Sequence, residues 1–134
     1  MITLIIGLPN AGKTTYSQRF DNVIHADDAK MPFVSEKQKF GTAIKKAAES
    51  PGDVVVEGIF NTKEWRFELL KACAHHDKKV VVWLNTPVEE CLRREKEYRK
   101  RPDGVVLNQA KKFQLPTYDE GWDEIIVIGD QDGN

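Results

Sequence analysis

Several things are scarce in this 134-residue sequence, and each absence narrows the field. No apolar run is long enough to span a bilayer. Residues 1–6 are too short, and wrongly flanked, for a secretory signal. There is no excess of charge. Twenty Lys and Arg face 21 Asp and Glu, a formal net charge of −1. That argues against a broad basic surface for avid, nonspecific nucleic-acid binding, but not against a nucleic-acid substrate. Cysteine is limited to Cys73 and Cys91. Their spacing matches neither a zinc site nor a disulfide framework, so buried free thiols in a reducing cytoplasm are expected. Repeats, low-complexity tracts and linkers are lacking too, which predicts a single domain over residues 1–134.

What is present is a strand–helix alternation. Five short, β-branched runs occupy residues 2–6, 23–25, 54–56, 80–84 and 125–128. They are continuous rather than alternating, as in strands buried on both faces. Helix signals separate them. Residues 13–20 open out of a glycine loop. Ser35-x-x-Gln38 has the form of a capping box for a helix that Pro51-Gly52 ends. Thr62 can cap a third helix, and Thr86-Pro87-Val88-Glu89 reads as the start of a fourth. Pro102-Asp103-Gly104 breaks that one, and residues 106–113 predict a last helix. The alternation predicts a three-layer α/β/α domain with a five-stranded parallel sheet and right-handed crossovers.

The most specific feature is Gly7-Leu8-Pro9-Asn10-Ala11-Gly12-Lys13-Thr14, directly after the first strand and before the first helix. This is the P-loop pattern in its proper context. Gly7 and Gly12 permit the tight backbone that turns the amides of Asn10, Ala11 and Gly12 toward phosphate. Lys13 reaches the β- and γ-phosphates, Thr14 can ligate Mg²⁺, and the helix N-terminus adds partial positive charge. Thr15 reads as a helix residue that supports the loop. ATP with Mg²⁺ is the expected nucleotide.

Two large P-loop classes are excluded by what is missing. No Asn-Lys-x-Asp is present to read guanine. The only Asp-x-x-Gly is Asp130 to Gly133, too close to the C-terminus to form a switch. A motor ATPase would need a helical lid domain and a hydrophobic run ending in Asp-Glu, and neither is found. Ile24-His25-Ala26-Asp27-Asp28-Ala29-Lys30 instead places carboxylates just after the second strand. In open α/β sheets the ligand crevice lies at the carboxyl ends of the strands. Asp27 there is a candidate general base for a hydroxyl nucleophile. Asp28 can alternatively cap the following turn. Glu57 ends the third strand, where a carboxylate can orient Mg²⁺ through water. Gly58 and Asn61 are expected to shape a substrate pocket. Residues 93–101 form the densest positive segment.

Taken together, residues 7–15, 25–30, 54–61, 86–94 and 113–124 resemble the small P-loop kinases of the phage polynucleotide-kinase type, within the adenylate-kinase-like group. The resemblance implies an ATP-dependent transfer of the γ-phosphate to a hydroxyl. A 5′-hydroxyl of DNA or RNA is the first expectation for the acceptor, with a small metabolite or nucleoside next. It implies that Asp27 is the base and that Lys30 contacts the substrate in place of an arginine, as a point charge rather than a fork. It also implies a lid over about residues 93–104 with two catalytic arginines. Arg94 fits the first, and Arg99 or Arg101 the second. Lys96 and Lys100 read as a solvated helix face. His75 and His76 read as helix-end cations rather than a metal site. A nucleotide-binding regulatory module without transfer activity is the alternative of a different class.

Overall fold

The computed structural model describes residues 1–26, 35–98, 101 and 104–129. Five strands, β1 (Ile2–Ile6), β2 (Val23–His25), β3 (Val54–Glu57), β4 (Lys79–Asn85) and β5 (Glu124–Gly129), form one parallel sheet in the order β2-β3-β1-β4-β5. Among the described residues, five helices connect or flank them: α1 (Lys13–Ser17), α2 (Glu36–Glu49), α3 (Lys63–Ala72), α4 (Val88–Tyr98) and α5 (Val105–Lys112). A single 3₁₀ turn, Tyr118–Glu120, precedes β5.

β1 is fully buried because helices cover both faces of the sheet's centre. One apolar layer joins Leu4, Val56 and Val81 to Phe40 of α2 and Leu69 of α3. The opposite layer joins Ile5, Val55 and Val82 to Cys91 of α4, with Tyr16 and Phe20 packed against it. Both cysteines are buried and free, as expected. Trp122 lies in the core, Trp65 meets Phe40 edge-on, and Trp83 stacks on Phe113, so all three tryptophans pack.

Local chemistry set several helix ends as the sequence predicted. Ser35 and Gln38 form the reciprocal capping box of α2, and Thr62 Oγ1 accepts from Trp65 N at the start of α3. Two expectations changed. The first helix ends at Ser17 rather than running on to residue 20, and after it the chain continues in turn-type bonds such as Phe20 N to Ser17 O. Thr86 does not cap α4. Its hydroxyl donates to Ala11 O at 2.8 Å and ties the end of β4 to the glycine loop instead.

The crossover from β3 to β4 passes over β1, so β1 lies between strands that wind away from it in opposite directions. That reversal opens a crevice at the carboxyl ends of β1, β3 and β4. The loop after β1 and the residue ending β3 both border it. Among the described residues, no helix is long and apolar enough to cross a membrane.

Candidate active site

The glycine loop leaves β1 and turns back into α1. Gly12 holds φ at +103°, a left-handed conformation that side chains rarely adopt, and Asn10 sits at φ 68°. Lys13 is 7% exposed, and its Nζ donates to Gly7 O at 3.0 Å and Leu8 O at 2.8 Å. The ammonium therefore lies within the concavity of its own loop. Thr14 is exposed beside it, and its carbonyl accepts from Ser17 Oγ.

α4 brings its arginine to the same loop. Arg94 is 8% exposed. Its Nη1 donates to Asn10 O at 2.9 Å, and its Nε donates to Glu90 Oε1 at 3.0 Å. Glu90 is anchored from its other side by Arg93. The Arg93 hydrogen bonds, with help from Arg94, outweigh desolvation and hold the Glu90 carboxyl down at about 2. Arg93 itself points outward and also pairs with Glu97. Lys96 is exposed, as a solvated face requires.

A second arginine reaches the loop. Arg101 Nη1 donates to Asn10 Oδ1 at 3.1 Å and to Glu95 Oε1 at 3.3 Å. Asn10 Nδ2 closes the triangle on Glu95 Oε1 at 2.9 Å. Burial raises the Glu95 carboxyl, yet the bonds from Asn10 and Arg101 bring it below its ordinary value. Of the two alternatives for the second lid arginine, Arg101 contacts the loop, and Arg99 lies outside the described residues.

Between α1 and the ends of β4 and β5 is a small cleft, partly open to solvent, bordered by Ala11, Tyr16, Arg19, Leu84, Thr86 and Ile128. The Arg19 guanidinium lies 3.8 Å over the Tyr16 ring. Sequence reasoning missed this cleft. Tyr16 and Arg19 belong to no motif, Thr86 reads locally as a helix cap, and only the sheet order brings β5 beside them.

On the far side of the loop, β3 ends in Glu57, 3% exposed, whose Oε1 lies 3.1 Å from His25 Nδ1. Its Oε2 is buried without a hydrogen-bond partner among the described residues. Asp27, Asp28 and Lys30 lie outside the described residues. The strand leading to them ends at His25, in register with Glu57. Thr15 is exposed on α1.

Past Glu57 the chain is tightly constrained. A Cβ on Gly58 would stand 2.8 Å from Ala26 Cβ and 3.2 Å from the Phe60 ring. Gly58→Ala is therefore expected to destabilise by about 1–3 kcal/mol, the usual cost of overpacking. A denaturant titration checks this, and an unchanged midpoint would show that β2 and β3 can separate freely. Phe60 takes φ 36°, and Asn61 is 1% exposed. Asn61 Nδ2 donates to Gln109 Oε1 of α5 at 2.7 Å, and Gln109 Nε2 donates to Glu36 Oε1 of α2 at 3.3 Å.

Behind this segment sits a residue the sequence did not single out. Arg66 of α3 is wholly buried. Its Nε and Nη2 grip Glu120 at 2.7 and 3.2 Å, Nη1 donates to Phe60 O at 2.8 Å, and Nη2 donates to Gln114 O at 2.8 Å. Glu120 also accepts from Thr117 N and Trp122 Nε1. Burial raises its carboxyl, but Arg66 and these two donors bring it below its ordinary value. His75 and His76 follow α3. His76 is buried, and desolvation lowers its imidazole. Among the described residues no three His, Cys, Asp or Glu side chains cluster as a metal site.

Comparison with known proteins agrees with the architecture. No protein-family model matches the chain. It is similar to the L-seryl-tRNA(Sec) kinase of Methanococcus maripaludis, 27% identical over an alignment of 147 positions, gaps included, that covers 92% of this chain and 56% of that protein. The chain thus spans little more than half the length of that relative. Among solved structures it is similar to Chaetomium thermophilum Kti12 in complex with ADP-AlF3, with a TM-score of 0.79 at 16% identity over 96% of this chain and 89% of that one. It is also similar to shikimate kinase from Acinetobacter baumannii in complex with shikimate, with a TM-score of 0.62 at 22% identity over 97% and 84%. The APS kinase CysC of Mycobacterium tuberculosis, in complex with AMPPNP and APS, gives 0.63 at 18% over 94% and 87%. The fold is that of the P-loop kinases.

Proposed function

We propose that this chain is an ATP-dependent kinase domain that transfers the γ-phosphoryl group to a hydroxyl acceptor. The observation that carries this reading is the convergence of two buried cations, Lys13 from the loop and Arg94 from α4, on one backbone concavity. Each is desolvated enough to act strongly on a phosphate, and each is already aimed. The loop amides and Lys13 hold the β- and γ-phosphates, and the cleft beside Tyr16 and Arg19 receives the base.

Hard oxygen donors suit Mg²⁺, and the Thr14 hydroxyl and the Glu57 carboxylate, one oxygen of which is buried without a partner among the described residues, fit that requirement. Thr14 would hold the ion, and Glu57 would orient it through water. When bound, Mg²⁺ neutralises charge on the phosphate oxygens. Asp27 takes the proton of the acceptor hydroxyl as that oxygen bonds to the γ-phosphorus. The bond from that phosphorus to the β–γ bridging oxygen breaks, and ADP leaves. Arg94, with Arg99 or Arg101, offsets the charge on the moving phosphoryl group. Lys30 and Asn61 are assigned to binding the acceptor.

For the acceptor, the motifs favour a 5′-hydroxyl of a polynucleotide. Similarity to a kinase named for a seryl group on tRNA, and to kinases of small metabolites, supports a hydroxyl on a small polar group, free or carried by RNA. The test is to incubate the protein with γ-labelled ATP and a panel of both kinds. Label in any acceptor supports the kinase reading. ATP binding with no transfer to any member would sink it in favour of a regulatory module. Asp27→Asn is expected to lower kcat on the order of 10²–10⁴-fold, with ATP affinity unchanged. Full activity in that variant would remove Asp27 as the base.

A further inference from the structure

The polar chain that runs from α2 through α5 to the end of β3 has a direction, and the direction selects a ligand chemistry. Glu36, in the first turn of α2, is a carboxylate and can only accept. The Gln109 amide must therefore turn its Nε2 toward Glu36, at 3.3 Å. That leaves Gln109 Oε1 facing Asn61, so Asn61 must turn its Nδ2 toward Gln109, at 2.7 Å. Amide orientations follow from such networks, and here the anchoring carboxylate permits one solution. The atom left over is Asn61 Oδ1, buried and without a partner among the described residues.

Asn61 has little freedom to escape this arrangement. Its carbonyl accepts from Gln114 N at 2.7 Å, and Phe60 before it is held by Arg66. The residue lies four positions beyond Glu57, past the carboxyl end of β3. A buried amide oxygen without a donor costs stability in any fold. Three elements combine to hold this one in place.

We infer that Asn61 Oδ1 is a subsite for a hydrogen-bond donor on the acceptor molecule, so that the phosphorylated hydroxyl has a neighbouring hydroxyl or amino group. This rests on the kinase reading and sharpens it. A polyol meets the requirement with its next hydroxyl, and a seryl group meets it with its amino nitrogen. The 5′-hydroxyl of a nucleic-acid strand does not. The groups nearest it are the sugar-ring oxygen and the 3′ phosphodiester, which only accept. Asn61 is thus a specificity-determining residue that selects against a 5′ end.

The experiment uses matched acceptors with γ-labelled ATP. One pair is tRNA charged with L-serine and the same tRNA charged with 3-hydroxypropanoate. Another is D-gluconate and 5-deoxy-D-gluconate, and a 5′-hydroxyl oligonucleotide is the fifth probe. A site built to pair a donor rejects the analogue lacking it, so a preference on the order of 10²-fold or more in kcat/KM is expected within one pair. The pair that responds tells whether the donor is borne by RNA or by a free metabolite. Asn61→Leu is expected to bring the two members within a few-fold while ATP affinity holds. If that variant does not fold, Glu36→Ala serves the same end, because it releases the Gln109 amide to turn and removes the direction of the chain. Equal use of both members, preference for the oligonucleotide, or discrimination that survives both substitutions overturns the subsite and leaves the kinase reading standing. ATP binding with no probe labelled overturns both.

Discussion

Arg94→Ala is expected to lower kcat by roughly 10³-fold, at the low end of what a transition-state arginine contributes in phosphoryl transfer. ATP affinity should change by only a few-fold. The reason lies in what holds the side chain. Arg94 is almost fully buried, stretched between Glu90 on its own helix and the Asn10 carbonyl in the loop. The rotamer entropy of placing a guanidinium beside the glycine loop is therefore spent on folding. Glu90 stays ionised down to about pH 2 through its bonds to Arg93 and Arg94, so this anchor persists across the whole working range. Arg94→Lys should restore little, because lysine cannot meet Glu90 and Asn10 with one planar fork. Steady-state kinetics with circular dichroism of each variant test this. A fall in ATP affinity with kcat intact would make Arg94 a loop strut rather than a catalytic group.

The second large effect is on stability. Arg66→Ala is expected to cost about 3–5 kcal/mol, because it leaves Glu120 as a buried charge without its countercharge. The loss should exceed that of an ordinary surface pair such as Lys71 with Glu68, worth about 0–1 kcal/mol. Arg66 also satisfies the carbonyls of Phe60 and Gln114, so its removal takes that donor from both. The double change Arg66→Met with Glu120→Leu should recover part of the loss, since it removes both charges together. The pH dependence follows from the carboxyl. Glu120 is depressed in the folded state relative to its ordinary value of 4.5. Its contribution is therefore complete above that value and is lost as pH falls through the lower folded value. Acid unfolding followed for wild type and Glu120→Gln checks the sign. If the two proteins lose stability in parallel below pH 4.5, Glu120 is not the group responsible.

The legible parts of this protein share one property, short range in the chain. The glycine loop is eight consecutive residues whose backbone demands can be read one at a time. The capping box at Ser35 and the threonine cap at residue 62 span four residues each, and both formed. Thr86 shows where this reading stops. Its local context says helix cap, but the loop carbonyl of Ala11, 75 positions away, is the partner the folded chain supplies. The Arg66–Glu120 pair is separated by 54 positions and gives no periodicity, spacing or motif to notice. Nor does Glu36 lie near Gln109 until α2 and α5 are both folded. The segment 113–124 was visible as a match to kinases, yet its work as the partner of a buried arginine was not.

By itself, the sequence determined the parallel α/β class, the phosphate loop and the list of charged residues available to it. Those follow from hydrophobic runs and from backbone geometry within a few residues. Tertiary structure alone decided which arginines reach the loop, which carboxylates are buried, and which way the Asn61 amide faces. Each of these depends on a hydrogen bond closed across the sheet or between helices. Such a bond is defined by three-dimensional distance and by the donor or acceptor left over, and linear order carries neither.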